Sequence, residues 1–190
     1  MKKLSLALAA CLALAACNST TSNTGSADNT NNTPAQSSTT RQEASVTDTI
    51  SKETMEKNMQ EVQAYLKECG AFFIATTDND QPHVRPFGVS EVIDGNFYIM
   101  TGKVKDVYKQ IAANGKFEIC ALKKSSTEWM RLSGTLVPEE SVALKEEFLN
   151  RNHGLKSMYK ADDDNMALLR VTGATARFCS FAGPERKINF

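Results

Sequence analysis

The chain has 190 residues, with 22 Lys and Arg against 22 Asp and Glu and a formal net charge of zero. A neutral chain with no basic stripe interleaved with aromatics is a poor nucleic-acid partner, because binding a phosphate backbone needs clustered cations. The five cysteines form no CxxC pair and the two histidines have no second ligand at metal spacing, so no metal is expected.

The chain begins with Lys2-Lys3, an apolar run from Leu4 to Ala13, and Leu14-Ala15-Ala16-Cys17. Positive charge, a short apolar core and a small-residue cleavage site are the parts of an export signal. The run is too short to span a bilayer as a mature helix. It resembles the lipobox of bacterial lipoproteins, and that resemblance implies cleavage before Cys17 and lipidation of Cys17. From Asn18 to about Ser45 the chain is almost entirely Ser, Thr, Asn, Gly, Ala and Gln. Such a stretch buries too little apolar surface to offset the entropy of ordering. The expected organisation is therefore a signal peptide over 1–16, a flexible tether over 17–50, and one folded domain over 51–190. The expected location is the cell envelope, on the exported side of a bacterial membrane, with contact to that membrane through the lipid anchor only.

The domain opens with a predicted helix from about Lys52 to Glu68, in which Met55, Met59, Val62 and Leu66 share one face and Gly70 is a suitable stop. Ala71 to Thr77 is rich in β-formers, and Asp78 to Gln81 is a turn cluster. In the next run His83, Arg85, Phe87 and Val89 alternate with Val84, Pro86, Gly88 and Ser90, the period of a pleated strand. Asp94-Gly95 then signals a hairpin returning through Asn96 to Thr101. After Gly102 the period changes, and Val104, Val107, Tyr108 and Ile111 are spaced as a helical stripe. Lys103 and Lys105 fall where that helix begins. Unpaired N–H groups, a positive dipole end and lysine charge together favour a bound anion there, with Arg85 on the neighbouring strand.

Phe117 to Leu122 reads as a further strand, and Trp129 to Val137 as another, with Met130 and Leu132 on one face and Trp129 and Arg131 on the other. Pro138 is expected to end that strand, and Ser141 to cap a helix running to about Arg151. Asn152 to Asn165 reads as a loop with a helical turn. Ala167 to Thr172 and Thr175 to Phe181 read as a closing hairpin, with Lys187 to Phe190 compatible with a short last strand. Many short hairpin-linked strands with a few helices give an α+β class, mainly β with helices, built as a small barrel.

Arg85-Pro86-Phe87, Asp94-Gly95, the Tyr98 to Gly102 run, Lys105, the Val107 to Ile111 run and the Glu128 to Gly134 run follow one another in this order. The series resembles the pyridoxamine 5′-phosphate oxidase-like family of FMN-binding split-barrel proteins. The resemblance implies a six- to seven-stranded antiparallel split β-barrel and a homodimer with FMN at its interface. Carried onto this chain, it implies a cofactor-binding set of Arg85, Pro86, Phe87, Thr101, Gly102, Lys103, Lys105, Trp129 and Arg131, with no catalytic residue assigned. The family's oxidases carry Ser-Arg-Lys where this chain has Lys105-Asp106-Val107, and they have a tryptophan in a tail that lacks one here. Pyridoxine phosphate oxidation is therefore not expected. The expected function is that of an FMN flavoprotein, leaning to an oxidoreductase of unassigned substrate and electron donor. The alternative is a lipoprotein that binds flavin or haem without turnover. His83, on the same predicted face as Arg85, is the one local candidate for a proton donor, and its structural reading is preferred.

Overall fold

A computed structural model describes residues 50–124 and 126–190. The expected signal peptide, Cys17 and all but the last residue of the expected tether lie outside the described residues. Among the described residues, no helix is long and apolar enough to cross a membrane.

Helix α1 (Lys52–Cys69) begins at Ser51, whose hydroxyl accepts the Thr54 amide, and stops at Gly70. It buries Met59, Val62 and Leu66, one turn apart along a single stripe. Burial of each such side chain is worth about 1.5–3 kcal/mol. The strands are β1 (Phe72–Asp78), β2 (Gln81–Phe87), β3 (Ser90–Ile93), β4 (Asn96–Gly102), β5 (Lys116–Leu122), β6 (Glu128–Glu139), β7 (Met166–Ser180) and β8 (Arg186–Asn189). Helix α2 (Asp106–Ala113) follows β4, and α3 (Val142–Arg151) with a 3₁₀ turn (His153–Ser157) lies between β6 and β7.

All eight strands belong to one antiparallel sheet with the order β2-β1-β5-β6-β7-β4-β3, and β8 pairs with β7. Strands β2 and β3 sit at opposite ends of that order, yet only Gly88 and Val89 separate them in the chain. Two residues span less than 11 Å or so even when extended. The sheet must therefore curl until its two ends meet, which makes it a barrel split between β2 and β3. The core inside joins α1 to Ile74, Phe97, Ile99, Ile119, Met130 and Leu132.

The stretch read as one strand from His83 into the Asp94-Gly95 turn is two strands, β2 and β3. The Asp94-Gly95 turn is present, with φ of 49° and 69°. It joins β3 to β4, however, and Arg85 lies on β2, which pairs with β1 alone. The expected closing hairpin is also corrected, since Met166 to Ser180 is one continuous strand. Its first half pairs with β4 and its second with β8, while β6 runs along the other edge. Gly173, at φ +56°, absorbs the bend where the β6 register shifts between Ser133 and Thr135. Opposite it, a Cβ on Gly134 would stand 2.9 Å from the Thr172 carbonyl oxygen, so the close approach requires glycine. Pro138 does not end β6. It pairs with Leu169 beyond the last residue of β6 that pairs with β5, where an edge has no use for the missing N–H.

Candidate functional site

Arg85 stands opposite Ile74 and His83 opposite Thr76, both buried, so these two β2 side chains face the side covered by α2. The Arg85 Nη1 donates to Thr76 Oγ1 at 2.7 Å, to the His83 carbonyl at 3.1 Å and to the Ile74 carbonyl at 3.4 Å. Its Nη2 donates to Gln110 Oε1 at 2.7 Å, and the Thr76 hydroxyl donates to the same oxygen at 2.7 Å. Every one of these acceptors is neutral. Burial pushes the guanidinium pKa down from its ordinary value, with no carboxylate beside it to oppose the shift. A guanidinium has five N–H donors. The Nε–H and one Nη2 hydrogen have no acceptor among the described residues.

Two clefts meet at this arginine. The larger, of about 730 Å³, is lined by Asp78, His83, Arg85, Lys105, Asp106 and Lys109 among others, so both acidic and basic residues border it. The smaller, of about 280 Å³, runs past Pro86, Phe87, Val89, Met100 and Thr101 to Leu155, Met158 and Tyr159. Arg85, Lys105 and Val107 line both. Lys105 is exposed and occupies the N-cap of α2, where its side chain makes no capping hydrogen bond. The first-turn amides of α2 thus have no side-chain acceptor, and the positive end of the helix opens at the junction. Asp106, the first helical residue, has its carboxylate held by Lys109 at 2.9 Å.

Five of the expected cofactor residues are brought together here: Arg85, Pro86, Phe87, Thr101 and Lys105. Gly102 ends β4 against the turn before β7, and a Cβ on it would lie 3.0 Å from Asn165 Oδ1 and 3.3 Å from Tyr159 Oη. Lys103 is not at the helix start, because α2 begins at Asp106 and Val104 is exposed rather than part of its stripe. The Lys103 ammonium instead pairs with Glu140 at 3.1 Å, and Glu140 also holds the buried Lys145 at 2.9 Å. Lys103 lines neither cleft.

Trp129 and Arg131 lie elsewhere. Met130 and Leu132 face the core, so Trp129 and Arg131 occupy the outer face of β6, as their alternation predicts. Trp129 packs on Phe181 with centroids 5.0 Å apart, and Arg131 is ion-paired to Glu118 at 2.6 Å. The register puts Phe73, Val84 and Leu122 on that same outer face, and they are 53%, 65% and 57% exposed. The sequence reading missed Thr76 and Gln110, which hold Arg85, and Leu155, Met158 and Tyr159, which wall the smaller cleft. Gln110 sits within the quoted Val107 to Ile111 run, but nothing in its spacing reveals a buried amide. The wall residues come from the stretch read as loop and carry no local signal.

The fold is a split antiparallel barrel in which Arg85, half-buried and without a carboxylate partner, lies beside the start of α2. The family model described as pyridoxamine 5′-phosphate oxidase matches residues 59–180, and the chain belongs to that family. A NimC/NimA family protein from Clostridium acetobutylicum is 34% identical, with a TM-score of 0.70 over 73% of this chain and 96% of that one. A pyridoxamine 5′-phosphate oxidase-related, FMN-binding protein from Nostoc punctiforme is 16% identical, with a TM-score of 0.51 over 69% of this chain and 86% of that one. A heme-binding protein from Mycobacterium smegmatis is 12% identical, with a TM-score of 0.54 over 73% of this chain and 58% of that one. The last two share the fold. Among curated proteins, none matches this chain.

Proposed function

We propose that the protein is an FMN-dependent oxidoreductase that works as a homodimer, held to a bacterial cell-envelope membrane by a lipid on Cys17. The observation that carries the FMN reading is Arg85, a half-buried guanidinium with only neutral partners and two unused N–H donors at the mouth of a cleft. A phosphate there would accept from Arg85, be balanced by Lys105, and face the open amides of α2. Family membership and the FMN-binding relative from Nostoc punctiforme support the same assignment.

Bound flavin supplies hydride and electron transfer. This chain's residues do the holding: Thr76 and Gln110 fix the Arg85 fork, and the Lys105 amide donates to the Gly102 carbonyl at 3.1 Å. The dimer is supported by the outer face of β2, β1, β5 and β6, where Phe73, Val84, Leu122 and Trp129 form an apolar surface. Trp129 is on the opposite face from Arg85, so its contact with a cofactor belongs to a second copy. Lys2-Lys3, the apolar run and Ala15-Ala16-Cys17 support the anchor.

The visible spectrum of the purified protein tests the core of this reading. Flavin bands at one FMN per chain, bleached by a nicotinamide or quinol donor and restored by an acceptor, are expected. A Soret band, or a colourless protein that does not titrate with FMN, refutes it, and bound flavin that resists both treatments refutes turnover. Labelled palmitate incorporated by the wild type and absent from Cys17→Ser tests the anchor.

A further inference from the structure

We infer that Asn165, which lines neither cleft, is a positioning residue for the anion site: it clamps the segment from Gly102 to Lys105 and so sets where Lys105 meets a bound anion. The inference rests on the phosphate part of the FMN reading, because Asn165 acts on that anion through Lys105.

Little besides backbone holds Lys105 in place. Its side chain makes no capping hydrogen bond at the start of α2, and the Val104 side chain before it is 74% exposed. A lysine on a flexible four-carbon stem turns freely into solvent, so its use at an anion depends on the backbone that bears it. That backbone is held from β7. The ladder between β4 and β7 has its last rung at Gly102 and Met166. One residue further, the Lys103 amide donates to the Asn165 carbonyl at 2.6 Å, a bond that any residue at this position would accept. The next bond needs the asparagine, because the Val104 amide donates to Asn165 Oδ1 at 3.3 Å. The Lys105 amide then turns back to the Gly102 carbonyl at 3.1 Å, and the Tyr108 amide donates to the Lys105 carbonyl at 3.0 Å as α2 begins. Three successive amides are engaged, and the middle one is engaged by a side chain.

The surroundings aim that side chain. The Asp163 carboxylate accepts from the amides of Lys160 at 3.0 Å, Asn165 at 2.9 Å and Met166 at 2.7 Å, which fixes the turn bearing Asn165. Gly102 leaves room for it, since a Cβ there would stand 3.0 Å from Oδ1. The Lys103 ammonium is drawn off to Glu140 at 3.1 Å and does not compete for that oxygen. Without the Asn165 acceptor, the Val104 amide in this exposed segment turns to water at small cost to the fold. The cost falls on binding, because a loosened segment must be ordered again when the anion arrives.

The test titrates the full chain with FMN and with riboflavin, which shares the ring system and lacks the phosphate, and follows quenching of flavin fluorescence. Asn165→Ala is expected to lower the preference for FMN over riboflavin about three- to tenfold and to leave riboflavin affinity within about twofold. Asn165→Asp keeps an acceptor in the same place and is expected to lie closer to wild type than to Asn165→Ala. In a Lys105→Ala background, Asn165→Ala is expected to change the preference by less than about twofold, because a residue acting through Lys105 has no effect once that side chain is gone. Should Asn165→Ala not fold, Asn165→Ser, whose hydroxyl is one bond shorter in reach, takes its place with the same expected values. A preference unmoved by Asn165→Ala, equal weakening of both ligands, an Asn165→Asp protein that behaves as Asn165→Ala, or an undiminished effect in the Lys105→Ala background overturns this inference and leaves the flavin reading standing. A wild-type protein that does not prefer FMN to riboflavin overturns the phosphate assignment and this inference together.

Discussion

Replacing Arg85 by methionine keeps the length of the side chain and removes its charge and its fork. The fold should tolerate this, because Thr76 and Gln110 remain bonded to each other at 2.7 Å and the two carbonyls belong to strand residues. A loss of about 1 kcal/mol is expected, which shifts Tm by roughly 2–4 °C in a domain of this size. The effect on FMN is larger. Two unused donors, each forming a charge-assisted bond worth about 1.5–3 kcal/mol, are lost together. Solvent access and the remaining Lys105 reduce the sum to about 2–4 kcal/mol, a roughly 30- to 1,000-fold weaker Kd. Riboflavin has the same ring system and no phosphate, so its affinity should change by less than about threefold. Quenching of flavin fluorescence on titration measures both. Equal weakening of FMN and riboflavin, or an unchanged Kd for FMN, refutes the phosphate assignment.

Gly102→Ala should destabilise the domain by about 1–3 kcal/mol and weaken FMN binding, because the added Cβ meets Asn165 Oδ1 at 3.0 Å and must displace the turn that leads to Lys105; thermal unfolding and FMN titration check it. Lys145, and then Lys103, hold the Glu140 carboxyl below the usual glutamate range. A lowered folded-state pKa means that this contribution is complete above the unfolded glutamate range and disappears as pH falls through the lowered value. Glu140→Gln, which leaves the buried Lys145 ammonium without its carboxylate, should cost about 1–3 kcal/mol near neutrality. The Tm gap between wild type and variant should hold from neutral pH to about 5 and shrink below it; a gap that widens in acid contradicts the ion pair. Phe73→Asp changes a side chain 53% exposed on the outer face and should leave the monomer folded. It should shift the protein toward monomer in sedimentation velocity, and a persistent dimer would move the interface elsewhere.

Local chemistry made most elements legible before the fold was known. Gly70 stops α1, Asp94-Gly95 makes its turn, and Met130 and Leu132 alternate inward as their period requires, because stops, turns and pleat are set by neighbours in the chain. Arg85 and Lys105 were read as cations on neighbouring elements, and the fold brings both to the same two clefts. Pairing between strands not joined by a tight turn was not legible. The hairpin logic that tied the Arg85 strand to β4 failed because Gly88-Val89 carry the chain across the split of a closed barrel, and only the whole sheet decides which edge receives β2. Closure likewise turned an expected hairpin into the single strand β7, which needs partners on both edges along its length. Lys103 went to Glu140 rather than to the anion site because residues 37 positions apart in sequence became neighbours. Sequence alone therefore determined the charges and the type of fold. Tertiary structure decided which charge stays uncompensated, because compensation depends on the carboxylate or amide that long-range packing delivers: Glu140 to Lys103, Glu118 to Arg131, and to Arg85 only neutral oxygens.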